Sequence, residues 1–377
     1  MSGSAPAAAS PATTFITLGG FLGAGKTSLM SATAELLRNQ GLRVVLVTND
    51  QGEQLVDTVT ASRAGVPVRE VTGGCFCCRF DDLAQVVVEL VDTEAPDVVI
   101  AEAVGSCTDL TATVLRPLRA FYGHRLAVAP LTVVLDPARL LELGTTQLSA
   151  EAVELGWLLH TQLEDADLIV LSKGDQTDRS DMAAVRDSVV ADYPETPVAE
   201  VSSVTGEGLG SLTRRWLSDA STDGHRLEID YERYGEAEAL MAWGDRRMRL
   251  DATPPQPFPP EAWVEGLLRR LAEQLAQRGA VVGHVKVSVS CDGGSIKASL
   301  VGAGGVVVDH RYGGLARTAD VLLNARVGVE PAVLADLLDD AVSRTSAALG
   351  VSTGTLHSAE FSPAQPEPTH RIATAAG

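Results

Sequence analysis

The 377-residue sequence lacks the features that would place a protein in a membrane or on nucleic acid. No apolar run approaches the roughly 20 residues that cross a bilayer. Acidic residues outnumber basic ones by 49 to 30, which gives a formal net charge of −19, and no basic stripe offsets this balance. Because nucleic acids and anionic lipid surfaces attract basic patches, we expect neither of them as a partner.

Cysteine is also scarce, yet three of the five cysteines, Cys75, Cys77 and Cys78, stand within four positions. Such a cluster is not typical of a disulfide framework and favours metal or redox chemistry in a reducing cytoplasm. Three thiolates suit Zn²⁺, Co²⁺ or Ni²⁺ and leave one position open, which predicts an exchangeable metal site. Inert buried cysteines and a redox dithiol are the alternatives. Cys107 could be a fourth ligand, although a small buried residue is favoured there.

A glycine-rich segment at residues 20–28 fits the pattern of Gly, any four residues, then Gly-Lys-Ser/Thr. A short apolar run precedes it and a helical pattern follows it, as a phosphate-binding loop requires. Lys26 is expected to reach the outer phosphates, and Thr27 to offer its hydroxyl to Mg²⁺. The predicted phosphate contacts are Gly20, Gly23, Ala24, Gly25, Lys26, Thr27 and Ser28.

Acidic residues follow two later strand-like runs, at the strand ends where open α/β sheets bind ligands. Asp50, Glu53 and Asp57 follow the run at residues 43–48 and predict a switch segment, with Asp50 near Mg²⁺, although a solvated acidic loop is the alternative. Glu102 ends the run at residues 97–101 and is expected to hold Mg²⁺ or orient the attacking water. Three residues on, Gly105 allows the backbone to approach the γ-phosphate. The predicted catalytic group is Lys26, Glu102 and Asp57.

A further apolar run, residues 168–171, delivers Ser172, Lys173 and Asp175. P-loop GTPases have Asn-Lys-x-Asp at this place, and the aspartate pairs with the guanine ring. Ser172 stands where that pattern has asparagine, which we expect to loosen the contact with the base. Ser202 begins a later loop that matches the base-capping segment of the same class, so Lys173, Asp175, Gly105 and Ser202 join the predicted nucleotide contacts.

With these segments, the chain resembles the CobW-type GTPases, relatives of the HypB and UreG maturation factors for nickel enzymes, over about residues 13–218. The segments that carry the resemblance are residues 19–27, 49–57, 74–78, 102–105 and 172–175. The resemblance implies a GTP hydrolase, slow without its partner, that uses GTP/GDP, Mg²⁺ and Zn²⁺ (or Co²⁺/Ni²⁺). It also implies delivery of metal to a client metalloprotein or cobalamin-related enzyme, and pairing into a homodimer. Residues 49–53 read Asn-Asp-Gln-Gly-Glu instead of the usual Asn-Glu-Phe-Gly-Glu, and the absent His-rich tract argues against bulk metal storage.

The expected fold is α/β, with a P-loop NTPase domain built on a mostly parallel sheet and a smaller C-terminal α+β domain. His284, on a strand of the second domain, is expected to be a core or edge histidine. The expected divisions are a disordered leader at 1–12, the GTPase domain at 13–218, a linker with connecting strands at 219–260, the second domain at 261–362 and a tail at 363–377.

Two other functions remain open on the sequence. A P-loop small-molecule kinase would explain the phosphate-binding loop and Glu102, but it leaves Asp175 and the thiol cluster without a purpose. A metal-sensing binding protein with little turnover would explain all of these features. Partner-stimulated hydrolysis would distinguish the GTPase from such a sensor.

Overall fold

The computed structural model describes most of the chain. The described ranges are residues 13–49, 66–143, 149–221, 227–253, 256–302 and 305–373. The predicted switch residues Asp50, Glu53 and Asp57 lie outside them. Within these ranges, no helix is both long and apolar enough to cross a membrane.

Eight strands with parallel pairing form the sheet of the first domain. They are β1 (Thr13–Gly19), β2 (Val44–Asn49), β3 (Val68–Val71), β4 (Val98–Glu102), β5 (Leu126–Val128), β6 (Thr132–Leu135), β7 (Leu168–Leu171) and β8 (Val198–Glu200). Their order is β3-β2-β4-β1-β6-β7-β8, and β5 pairs with the first part of β1. Because β2 to β4 lie on one side of β1 and β5 to β8 on the other, the end of β1 is the topological switch point where such sheets bind ligands.

Helices cover both faces of this sheet because its strands are apolar on both sides. Phe15 of β1 faces one core, while Ile16 and Leu18 face the other. The helices are α1 (Lys26–Asn39), α2 (Phe80–Thr93), α3 (Arg116–Tyr122), α4 (Pro137–Leu143), α5 (Ala150–Glu164), α6 (Arg179–Asp192) and α7 (Leu209–Ser218), with a π-helical turn at Thr111–Leu115 before α3. α1 and α7 supply one core, and α2, α5 and α6 supply the other. The expected P-loop architecture is confirmed.

The second domain is a six-stranded antiparallel sheet in the order β12-β11-β10-β13-β9-β14. Its strands are β9 (Ala242–Ala252), β10 (Val282–Cys291), β11 (Gly294–Leu300), β12 (Val306–His310), β13 (Thr318–Val327) and β14 (Val351–Phe361), and its helices are α9 (Pro260–Gln277) and α10 (Pro331–Leu349). Val285 and Val287 of β10 belong to the core beside α9 and α10, whereas His284 and Lys286 alternate onto the other face. That second, more polar face turns towards the first domain.

The segment expected to be a linker, residues 219–260, is more ordered than its composition suggests. It contains a further helix, α8 (Tyr231–Ala239), and β9, which lies between β13 and β14 inside the second sheet. The sequence does not indicate β9 as a strand, because it contains several charged residues. Arg246 of β9 is 3% exposed, and its Nε donates to Glu360 Oε1 at 2.8 Å. A buried ion pair therefore replaces the apolar alternation by which the strand would have been recognised.

Candidate functional site

The glycine-rich loop joins β1 to α1 and has the backbone conformation that glycine alone adopts readily. Gly20 and Gly25 have φ angles of 124° and 90°. A Cβ atom on Gly20 would lie 2.2 Å from the carbonyl oxygen of Val134. The loop therefore lies flat against β6, and the N-terminus of α1 opens beyond it. Lys26 Nζ donates to the Gly20 carbonyl at 2.7 Å, which places the ammonium group at the loop.

Thr27 and Glu102 meet at the ends of the two central strands. Thr27 Oγ1 donates to Glu102 Oε1 at 2.9 Å, and both residues are buried. A hydroxyl and a carboxylate oxygen form the kind of donor set that Mg²⁺ prefers. Gly105 follows closely, and a Cβ there would lie 3.0 Å from Leu22 Cα. The segment after β4 therefore lies directly against the phosphate-binding loop.

Ser172 lines the same cavity as Lys173 and Asp175, and its hydroxyl is bound to backbone carbonyls. Its hydroxyl donates to the Ala24 carbonyl at 2.7 Å and to the Leu135 carbonyl at 3.2 Å. The sequence led us to expect a looser contact with the base at this position. In the structure, Ser172 ties the phosphate-binding loop to the end of β7, and the looser contact with the base stays a prediction.

Asp175 and Lys173 are held by neighbouring side chains. Asp175 Oδ1 accepts a 2.6 Å hydrogen bond from Ser202 Oγ, which in turn accepts from two backbone N–H groups of its own turn. Lys173 Nζ lies 2.5 Å from Asp136 Oδ2, and its φ of 56° is rare for a non-glycine residue. The Asp175 carboxylate is therefore oriented in advance at the edge of the cavity.

A cavity of about 430 Å³ lies between the two domains and brings most of the predicted nucleotide residues together. The predicted residues that line it are Gly23, Gly25, Lys26, Thr27, Ser28, Glu102, Gly105, Lys173 and Asp175. Gly20, Ala24 and Ser202 are not in its wall. Ser202 acts instead through its bond to Asp175, and Ser203, the next residue, is in the wall.

The second domain contributes residues to this cavity that the sequence did not reveal. His284, Lys286, Lys297 and Ser299 of β10 and β11 line it opposite the phosphate-binding loop. Alternation along these strands could have shown that the four share a face, but not which surface that face approaches. His284 is 5% exposed and lies edge-on to the Trp243 ring, so it is a buried strand histidine, as expected.

Arg139 of α4 joins the domains beside the loop and was also missed. Its Nη2 donates to the Val282 carbonyl at 2.6 Å, and Nη1 pairs with Glu142 at 2.8 Å. Its guanidinium group lies over the Phe21 ring, 5.7 Å from the ring centre. Burial lowers the pKa of Arg139, partly offset by Glu142, and a single buried cation thus connects the phosphate-binding loop, α4 and β10.

The three clustered thiols converge as predicted. The Sγ–Sγ distances are 2.8 Å for Cys75–Cys77, 3.3 Å for Cys75–Cys78 and 3.8 Å for Cys77–Cys78. A tetrahedral ion about 2.3 Å from each sulfur would hold the sulfurs about 3.8 Å apart. The thiols need to move by no more than about 1 Å to meet this geometry, and thiolates are donors that Zn²⁺ accepts. These residues therefore fit a transition metal.

The neighbouring thiols lower the pKa of one member of the cluster. Hydrogen bonds from Cys107, Cys77 and Cys78 hold the pKa of Cys75 well below its usual value. The bond to Cys75 correspondingly raises the pKa of Cys78 to about 11. Cys107 is buried, as expected for a small packing residue, and among the described residues the thiols whose sulfur atoms all lie within 4.8 Å of one another are Cys75, Cys77 and Cys78.

Asn49, at the end of β2, connects the thiol loop to the nucleotide cavity that it lines. Its Oδ1 accepts from the Phe76 N–H at 2.9 Å, and its Nδ2 donates to the carbonyls of Gly74 at 2.7 Å and Val71 at 3.0 Å. A single buried amide therefore fixes the loop before and after Cys75. Its position directly after a buried strand is a sequence signal that could have identified it.

Residues 363–373, expected to be a tail, form a carboxyl-terminal strap across the thiol loop. Thr369 donates from its N–H to the Cys77 carbonyl and from Oγ1 to the Cys78 carbonyl, each at 3.0 Å. The Glu367 N–H donates to Cys78 Sγ at 3.3 Å. Most of these bonds use the backbone, so the proline-rich composition gave no sign of them.

Side chains anchor the strap on either side of these bonds. Arg371 Nε lies 2.7 Å from Asp109 Oδ2, and the His370 ring lies edge-on to both Phe80 and Phe121. The strap is therefore a docked part of the first domain.

The sequence of the chain is similar to a family of known proteins. The CobW/HypB/UreG nucleotide-binding domain matches residues 14–199. A zinc chaperone CobW from Sinorhizobium sp is 30% identical over 247 residues, which cover 56% of this chain and 66% of that protein. A zinc chaperone CobW from Pseudomonas aeruginosa is 29% identical over 207 residues, which cover 46% of this chain and 52% of that protein. The chain thus spans about two thirds of the first relative's length and about half of the second's.

Among solved structures, the zinc-bound YjiA GTPase from E. coli aligns over 90% of this chain and 99% of its own, at 14% identity and a TM-score of 0.34. The matched residues 14–199 contain the phosphate-binding loop, Glu102 and the three clustered cysteines. The chain belongs to the CobW/HypB/UreG family.

Proposed function

We propose that this protein is a GTP hydrolase that captures a transition metal, Zn²⁺ in the first place, and passes it to a client. The observation that carries the proposal is the position of Asn49, which lines the nucleotide cavity and holds the thiol loop by three hydrogen bonds. A rearrangement at the phosphates that moved the end of β2 would also move Cys75. Two ligands that share one element in this way are expected to alter each other's affinity.

In this proposal the phosphates lie along the loop between Gly20 and Ser28. Lys26 neutralises charge on the outer phosphates, and the backbone N–H groups at the start of α1 donate to them. Thr27 and Glu102 would hold Mg²⁺, which would supply positive charge to offset that of the phosphates. Glu102 also orients the attacking water, and Gly105 allows the backbone after β4 to reach the γ-phosphate. Asp50, Glu53 and Asp57 belong to the switch in this proposal.

The base-binding side of the proposal rests on Asp175. Its carboxylate accepts from the N–H groups of a guanine ring, and Ser202 keeps it in the required orientation. Adenine presents no matching pair of donors. Lys173, paired with Asp136, lies beside the ring.

The client of the proposed chaperone is a metalloprotein or a cobalamin-related enzyme, and the protein works in the cytoplasm, where thiols stay reduced. The names of the CobW relatives, which are zinc chaperones, support zinc as the cargo. Pairing of two copies into a homodimer is part of the same proposal.

The test is a Co²⁺ titration of the reduced protein, followed by absorption, with GTP and Mg²⁺, with GDP and Mg²⁺, and without nucleotide. We expect a thiolate–cobalt band whose midpoint shifts between the nucleotide states by about 5- to 150-fold, the usual range for coupled sites. The double variant Cys75→Ser/Cys77→Ser should lose the band. Cys291→Ser, in the second domain, is the matched control. Unchanged metal affinity in the double variant would contradict the metal assignment, and a midpoint indifferent to nucleotide would contradict the coupling.

A further inference from the structure

Lysine is rare in this chain, and every lysine lines one cavity. Of the 30 basic residues, 26 are arginines and only four are lysines. All four lysines line the cavity between the two domains, namely Lys26, Lys173, Lys286 and Lys297, whereas the arginine that the described structure places in the wall is Arg139. An ammonium group is a compact point charge and a guanidinium group a broad planar fork, so the two are not interchangeable. The distribution therefore indicates a site that requires ammonium groups.

Two of these lysines share one face of the second sheet. Lys286 of β10 pairs in register with Ser299 of β11, and Lys297 lies two residues from Ser299 on the same face. Diagonal neighbours of this kind in an antiparallel pair lie about 7–8 Å apart. Both lysines are half-buried, whereas Arg247 and Arg249 of β9, further along this face, are exposed. The face thus carries lysine where it lines the cavity and arginine where it meets solvent.

The strands that carry Lys286 and Lys297 pack directly against the phosphate-binding loop. A Cβ atom on Gly23 would lie 2.3 Å from Val301 Cγ1, just after β11, and 2.9 Å from the carbonyl oxygen of Gly283, in β10. No side chain fits between the loop and these strands, so close packing fixes their relative position. The two lysines of the second domain therefore line the cavity that the phosphate-binding loop also lines.

We propose that Lys286 and Lys297 bind the phosphates of the nucleotide from the side opposite Lys26. The inference rests on the proposed function and makes the second domain part of the nucleotide site. An ammonium group binds phosphate oxygens as a point charge. Lys297 Nζ lies 3.5 Å from Asp309 Oδ2, farther than the about 2.7–3.2 Å of most hydrogen bonds, so a phosphate oxygen can replace this contact. Phosphates held between lysines of both domains join the two domains.

The first experiment measures displacement of a fluorescent GTP analogue by GTP, GDP and guanosine from wild-type protein, Lys286→Met and Lys297→Met. Arg247→Met is the matched control, because it removes an exposed cation from the same face of the same sheet. GTP and GDP should bind about 10- to 100-fold more weakly to Lys286→Met, the effect of one charged hydrogen bond. The loss should be smaller in Lys297→Met, since Asp309 already neutralises part of that charge. Guanosine has no phosphate and should bind to all four proteins equally.

The second experiment uses wild-type protein alone and serves if a variant does not fold. Because the chain has only four lysines, acetylation with acetic anhydride followed by peptide mass spectrometry reports on each of them separately. GTP with Mg²⁺ should slow the acetylation of Lys286 and Lys297 together with that of Lys26. Guanosine should leave the rates of all three unchanged.

Wild-type affinity for GTP in Lys286→Met or in Lys297→Met would overturn the inference for that lysine. An equal loss of GTP and guanosine binding would overturn it as well, because the side chain would then act on the fold and not on the phosphates. Protection of Lys26 alone in the acetylation experiment would leave the second domain outside the nucleotide site. Wild-type protein that binds no GTP would contradict the proposed function itself, so the two failures are distinguishable.

Discussion

Replacing Ser172 by alanine tests how the phosphate-binding loop is held. The Ser172 hydroxyl is buried and donates to the Ala24 carbonyl at 2.7 Å. Alanine removes this donor, while the Leu135 carbonyl keeps the backbone N–H of residue 172 at 2.9 Å. The loss of one hydrogen bond to a buried carbonyl costs about 1–2 kcal/mol. We therefore expect nucleotide binding to weaken by about 5- to 30-fold, because the loop must be ordered again on binding.

The assay is displacement of a fluorescent GTP analogue by GTP, GDP and ATP, with urea unfolding measured on the same protein. Because the bond is to the loop and not to the base, all three nucleotides should weaken by the same factor. Ser172→Asn should recover part of the loss, since an amide can also donate to the Ala24 carbonyl. Ser352→Ala is the matched control, because that hydroxyl is exposed and bonds to the Asp251 carbonyl in the second domain.

Two results would refute this account of Ser172. One is wild-type affinity for GTP in Ser172→Ala. The other is a loss confined to guanine nucleotides, which would mean that the side chain acts on the base. Both are read from the same titrations.

The remaining predictions concern the base, the strap and the effect of pH. Asp175→Asn should weaken GTP binding by about 10- to 100-fold and favour xanthosine triphosphate, since the guanine N–H groups lose a charged acceptor. The measurement is competition binding, with Asp178→Asn as the control. An unchanged base preference would contradict the role of Asp175 in binding guanine. Deleting residues 363–377 should speed the reaction of Cys78 with a thiol reagent in metal-free protein, because the backbone of the strap, 3.3 Å from its sulfur, no longer shields it. An equal rate would show that the strap does not cover it. Burial raises the pKa of Asp165 to about 7, so the folded state keeps a proton that the unfolded chain releases near pH 4. The free energy of unfolding should therefore fall as the pH rises from about 4 to about 7, and Asp165→Asn should flatten that slope in urea unfolding.

The first domain and the side chains at its strand ends could be predicted from local sequence patterns. Lys26, Thr27 and Glu102 were predictable because a strand, a glycine-rich turn and a helix determine their positions within a few residues. The contact between Thr369 and the thiol loop was not predictable, since it depends on how the strap packs against that loop. The face of β10 that carries Lys286 could be identified, but the surface opposite it depends on the docking of two domains. Strand β9 could not be recognised from the sequence, because it carries the buried charge of Arg246. The partners that compensate for burying this charge lie far away in the sequence.

The carboxyl-terminal strap also bears on the order in which the protein is made. Thr369 binds the Cys78 carbonyl across a sequence separation of 291 residues. At about 5–20 residues per second, a ribosome needs about 15–60 s to reach the strap after it has made the thiol loop. Throughout that interval the emerging loop is open to metal ions and to oxidants alike. On the proposed metal function, the first metal can thus enter during translation, before the bonds between the strap and the thiol loop have formed.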